Sequence, residues 1–176
     1  DRLENEVVIL DLNLNYAYRN RIDFNLYPEI AHIDPWGRLF LYSNTYNGIF
    51  IFEKNYIIDE PFIDFSKEFH SNYCIKDFAI NSDGEVGILG CDGIFNGFSQ
   101  NGLKKKSIPI KLVDPLFLIP VDNDWFIYNS KGEAISINSL GKVSLPKINS
   151  PILDVASLDK SIAILTKEQI LVLNVR

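Results

Sequence analysis

Between residues 30 and 55 the chain reads IAHIDPWGRLFLYSNTYNGIFIFEKN. Three short apolar-alternating runs lie in it, at 30–34, 38–44 and 49–53, joined by the turns Pro35-Trp36-Gly37 and Asn47-Gly48. An Asn-Gly pair tolerates positive φ at both central turn positions, so between two β-patterned runs it predicts a hairpin. The same strand–turn–strand layout recurs three more times downstream, and that recurrence constrains the fold more than any other feature.

Upstream, 6–12 and 17–25 read as two strands, with 13–15 as their turn, before Tyr27-Pro28 breaks the pattern. The first full unit spans about 28–73, with a fourth run at 56–59. Its tail, 61–73, reads as a loop holding one short helical turn. A second unit, 74–113, is punctuated by Ser82-Asp83-Gly84, Asp92-Gly93 and Asn101-Gly102. A third, 114–150, turns at 122–124, at Asn129-Ser130-Lys131-Gly132 and at Leu140-Gly141. The last, 151–176, has three strands, with turns at 158–160 and at Lys167-Glu168.

The second turn of each unit falls at Gly48, Gly93, Gly132 and about Glu168, a repeat of roughly forty residues. No extended helical periodicity interrupts it, so the sheets are expected to be antiparallel meanders. One four-stranded meander leaves a face uncovered, whereas several stacked around an axis cover one another. This layout resembles the blades of a β-propeller, and the pieces IDPWGRLFLYSN and INSDGEVGIL resemble blades of the NHL or YVTN type. The Gly-His and Trp-Asp pairs of WD40 blades are absent, as is the Ser-x-Asp-x-Gly-x-x-Trp box. The resemblance implies an all-β chain of about four blades, one propeller-like domain over 1–176 or part of a larger propeller.

Composition narrows the function classes. The chain has 176 residues, 47% hydrophobic and 12% aromatic, enough for a substantial core. Its net charge of −6 argues against a nucleic-acid partner, whose phosphates call for Lys and Arg. The basic run Lys104-Lys105-Lys106 reads as a solvated hairpin. No apolar segment approaches the ~20 residues of a membrane-spanning helix. Methionine is absent, which points to an excised piece of a larger protein. Cys74 and Cys91 fit no zinc spacing and make no disulfide framework, so a reducing, cytoplasmic setting is favoured over a mature chain whose signal has been removed.

Candidate chemistry is sparse. His32 reads as a core or channel residue, and His70, near Asp64 and Glu68, lacks a compelling metal spacing. Cys91 has no base and orienting partner beside it and reads as a small packed residue. Asp34, Asp83, Asp122 and Asp159 fall in the first turns of successive units. There they form either a carboxylate cluster at one end of a ring or ordinary turn residues. Trp36, Tyr46 and Trp125, together with Tyr42, Phe50 and Phe52, offer either interface aromatics or inter-blade filling. No phosphate loop, dinucleotide fingerprint, nucleophile elbow or zinc-protease motif occurs. No cofactor, metal or catalytic residue is therefore expected.

The leading expectation is a non-enzymatic scaffold binding a protein partner, with Trp36, Tyr46, Trp125, Asp34, Asp83 and Asp122 as candidate binding residues. An acidic surface admits basic partners more readily than anionic ones. The alternative is a carbohydrate- or small-ligand-binding propeller, hydrolytic in one version, with polar turn residues lining the axial channel. A third reading is a segment that completes a ring by self-association or with the rest of a larger propeller.

Overall fold

The computed structural model describes residues 6–10, 13, 15–22, 26–53, 56–57, 60–69, 72–121, 124–139, 141–143, 148, 150–158 and 161–174. His70, Asp122 and Asp159 lie outside them. The chain divides between Tyr73 and Cys74 into two compact units.

In the first unit, β1 (Glu6–Leu10) and β2 (Tyr16–Arg21) form an antiparallel pair. A meander follows through β3 (Ile30–Ile33), β4 (Leu39–Ser43), β5 (Gly48–Glu53) and β6 (Tyr56–Ile57), and β7 (Ile63–Asp64) also pairs with β5. Val7, Ile22 and Leu26 pack on Leu39, Leu41, Phe50 and Phe52 of the meander. The 61–73 stretch contains the expected single helical turn, α1 (Phe65–Glu68). Asp64 caps it, accepting the Ser66 N–H at 3.0 Å. Hydrogen bonding from the Ser66 hydroxyl holds the Asp64 carboxyl below its usual range. The helical turn buries Phe65, which stacks on Tyr42 with ring centroids 5.7 Å apart.

The second unit holds three consecutive antiparallel sheets. The first comprises β8 (Ile75–Ile80), β9 (Val86–Gly90), β10 (Ile94–Phe98) and β11 (Lys104–Pro109). The second comprises β12 (Pro115–Val121), β13 (Asp124–Asn129), β14 (Ala134–Ser136) and β15 (Lys142–Val143). The third comprises β16 (Ile152–Leu158), β17 (Ser161–Thr166) and β18 (Ile170–Asn174).

Strand β13 explains why these sheets stack. Successive side chains of a strand point to opposite faces. Trp125 and Ile127 enter a core with Ala79, Leu89 and Phe95 of the preceding sheet. Phe126 and Tyr128 enter the other, with Val155, Ile162 and Ile164 of the following sheet. A strand apolar on both faces needs a sheet on each side, and β13 has both. The first strand of the middle sheet, β12, neighbours both β8 and β16. All three carry a register irregularity at the same place, between Ile75 and Asp77, Pro115 and Phe117, and Ile152 and Asp154. The three sheets thus repeat one another in structure.

One expectation is overturned. Cys74 and Cys91 are joined in a disulfide, so Cys91 is not a packed thiol. They stand 17 positions apart in sequence, but β8 and β9 pair with Ile75 opposite Gly90, and the Cys91 N–H donates to the Cys74 carbonyl at 2.9 Å. The antiparallel ladder brings the Cα atoms to 5.4 Å, within bonding geometry. The bond staples the open end of a hairpin and removes the sequence argument for reduced cysteines.

Candidate interaction site

The turn between β3 and β4 is the best-built surface feature of the first unit. Asp34 is buried, and its Oδ1 accepts the N–H of Trp36 at 3.0 Å and of Arg38 at 2.8 Å. The Gly37 N–H donates to the Asp34 carbonyl at 3.0 Å, with Gly37 at φ 81°, a conformation glycine adopts without strain. The other carboxylate oxygen, Oδ2, takes the Arg38 Nε–H at 2.6 Å.

That ion pair positions the guanidinium. Arg38 Cζ lies 5.4 Å from the ring centroids of both Trp36 and Phe40, so the cation bridges an exposed and a buried aromatic. Trp36 is 59% exposed and Ile33 68% exposed. A large indole is therefore presented to solvent on a turn whose backbone is tied from beneath.

The other candidates are placed differently. Tyr46, half exposed, sits in the β4–β5 turn with its ring 6.1 Å from Phe50. That turn is at the opposite end of β4 from Trp36, so the two aromatics do not share a surface. Trp125 is only 4% exposed and packs against Phe95, centroids 5.7 Å apart. It fills the space over Gly87, where an added Cβ would stand 2.9 Å from the indole.

Asp83 is exposed at the third position of its turn. The residue matching Asp34 is Asn81, whose Oδ1 accepts the N–H groups of Asp83 and Glu85 at 3.0 and 2.8 Å. Asn129 repeats the arrangement with Lys131 and Glu133, both at 3.0 Å, and Ser99 does so through its hydroxyl with Asn101 and Leu103. Each of these side chains accepts two backbone N–H groups of its own turn. Among the described residues, no group of three or more His, Cys, Asp and Glu gathers as a metal site. His32 is half-buried in β3 opposite Phe40.

The basic run forms the first half of edge strand β11. Lys105 pairs with Glu85, and the Lys106 ammonium lies 5.6 Å over the Phe95 ring. Lysines on an edge strand also discourage pairing with another sheet. The residues that sequence reasoning missed are Ile33 and Arg38. Their signal was the sequence Asp-Pro-Trp-Gly-Arg, an Asx turn whose fifth residue can reach back to the first.

Comparison with solved structures decides the fold. BBS1N, solved in complex with ARL6DN, superposes with a TM-score of 0.63 at 12% identity, over 96% of this chain and 54% of that one. YCF48 bound to D1 peptide gives 0.64 at 14% identity, over 85% and 51%. Virginiamycin B lyase from Staphylococcus aureus gives 0.52 at 13% identity, over 97% and 63%. All are β-propellers.

The fold is a β-propeller. Its meanders are propeller blades, and the chain spans roughly half to just under two thirds of the propeller chains it resembles. No family model and no curated protein matches the chain.

Proposed function

We propose that this propeller is a protein-binding module and that Trp36 is the centre of its docking surface. The observation that carries this reading is the exposed indole on a braced turn. Tryptophan and arginine dominate interface hot spots, and a side chain ordered before binding loses less entropy on association. BBS1N and YCF48 were solved with a protein and a peptide partner, which makes the use of such a scaffold reasonable. The net charge of −6 favours a neutral or basic partner surface. The Cys74–Cys91 bond favours an oxidising compartment, where disulfides persist.

Among the described residues, a cavity of about 250 Å³ lined by Val7, Val8, Pro28, Ile30, Leu39 and Leu41, with Glu6 and Glu29 beside them, speaks for the small-ligand reading. Small-molecule sites usually measure about 300–1,000 Å³ with convergent polar groups. Glu6 is already paired with Arg19 at 3.1 Å. We favour the protein-docking reading on the exposed Trp36.

A photo-crosslinking amino acid at position 36, introduced in the source cells, tests it. One defined protein crosslinked from position 36 but not from position 46 supports the assignment. Equal labelling from both positions, or none from either, contradicts it.

A further inference from the structure

The β3–β4 turn leaves over only one kind of hydrogen-bonding side-chain atom. Asp34 has nothing to offer a ligand. Its side chain is fully buried, its Oδ1 takes two turn N–H groups and its Oδ2 takes the Arg38 Nε–H. Arg38 is in the opposite position. Its side chain is 28% exposed, and of its side-chain nitrogens only Nε has a partner among the described residues. The donors on its Nη atoms are left over. The exposed Trp36 indole also has no partner for its Nε1–H among the described residues, and an indole nitrogen only donates.

The turn thus presents an apolar ring, with Pro35 exposed beside it and Ile33 exposed at the end of β3, next to donors and to no free side-chain acceptor. A basic side chain finds nothing here to receive its N–H groups. An anion meets a guanidinium already neutralised by Asp34, in a chain of net charge −6. What fits is a neutral segment rich in acceptors. An ordinary peptide brings an N–H with every C=O, and an N–H pressed against an indole loses water without gaining a partner. Proline brings the C=O alone. In the polyproline II conformation the carbonyls are unbonded within the segment, and the rings supply apolar area to lay on an aromatic face. That conformation exists before binding, so little entropy is lost on docking.

We infer that the Trp36 turn takes a neutral, proline-containing segment in the polyproline II conformation. A proline ring covers the indole, and backbone carbonyls accept from the Arg38 Nη and Trp36 Nε1 donors. The inference rests on the docking reading of Trp36 and narrows it to one class of partner.

A capped oligoproline peptide is the probe, titrated against the whole chain and followed by tryptophan fluorescence. Trp125 is buried, so a saturable shift in emission reports on Trp36. The shift is expected for the wild type. A capped oligoalanine of the same length, or an oligoproline interrupted by glutamates, should bind about tenfold more weakly or less tightly still. Arg38→Lys keeps a cation beside Asp34 but loses the guanidinium fork, and should weaken oligoproline binding about fivefold to tenfold. In a second arm, the partner segment crosslinked from position 36 is sequenced, and a proline-containing stretch is expected. No saturable shift with oligoproline, equal binding of the glutamate peptide, or a crosslinked segment without proline overturns the inference and leaves Trp36 a docking site. No crosslink from position 36 overturns both.

Discussion

Asn129 and Glu133 are bonded twice: the Asn129 Nδ2 donates to Glu133 Oε2 at 2.7 Å, while its Oδ1 accepts the Glu133 N–H at 3.0 Å. Asp34 and Arg38 make the same pair of contacts with donor and acceptor side chains exchanged, the first residue now accepting from the fifth. Asn81 and Glu85 follow the Asn129 pattern, with a longer Nδ2···Oε2 distance of 3.4 Å. The first residue needs an acceptor for the turn N–H groups. Whether its other atom donates or accepts sets which side chain stands four residues later.

This pairing rule is testable by exchange. Asn129→Asp places two carboxylates side by side and removes a donor to Glu133, so it should cost about 2–3 kcal/mol in urea unfolding. Adding Glu133→Arg recreates the Asp34–Arg38 pair and should recover most of the loss. Additive losses in the double variant would refute the rule.

The disulfide should matter for stability more than for shape. A bond closing a loop of this size contributes about 3 kcal/mol by restricting the unfolded chain. Cys74→Ser with Cys91→Ser, or reduction of the wild type, should lower the unfolding midpoint accordingly. An unchanged midpoint would mean the bond does not constrain this hairpin.

Gly87 is required by its neighbours. A Cβ there would lie 2.9 Å from both the Phe95 ring and the Trp125 indole. Gly87→Ala should therefore cost about 1–3 kcal/mol through overpacking. Trp125→Phe in the same chain should relieve part of it, and a neutral Gly87→Ala would show the indole free to move.

Tyr128 is fully buried and its hydroxyl has no hydrogen-bond partner among the described residues. Desolvation pushes its phenol well above the ordinary value, so the folded state favours the protonated form. Its contribution is complete below the unfolded pKa of about 10 and is lost as pH rises beyond it. Tyr128→Phe should be neutral or stabilising by up to about 1 kcal/mol at neutral pH and should flatten the alkaline loss. A large destabilisation would reveal a partner for the hydroxyl.

The strand pattern was readable because both of its signals are local. The glycine turns and the period-two alternation place most strands within a residue or two. Cys74 and Cys91 were harder, because their proximity comes from the β8–β9 register and not from spacing. The turn aspartates were misaligned for a related reason. The atom that matters is an Asx or Ser oxygen at the first turn position, so Asn81, Asn129 and Ser99 match Asp34, and Asp83 does not. Trp36 and Trp125 differ in place: Trp36 lies in the β3–β4 turn, Trp125 in strand β13. The sheet packed over β13 buries Trp125, and the turn leaves Trp36 in water.

The central claim is that Trp36 anchors a protein partner. Its most direct test is the affinity of the partner crosslinked at position 36 for the wild type and for Trp36→Ala, alongside thermal unfolding of each. The indole is exposed, so its removal should leave stability within about 0.5 kcal/mol. Binding should weaken by about 2 kcal/mol or more, roughly thirtyfold, as for a hot-spot residue. Equal affinities for the two proteins would contradict the assignment.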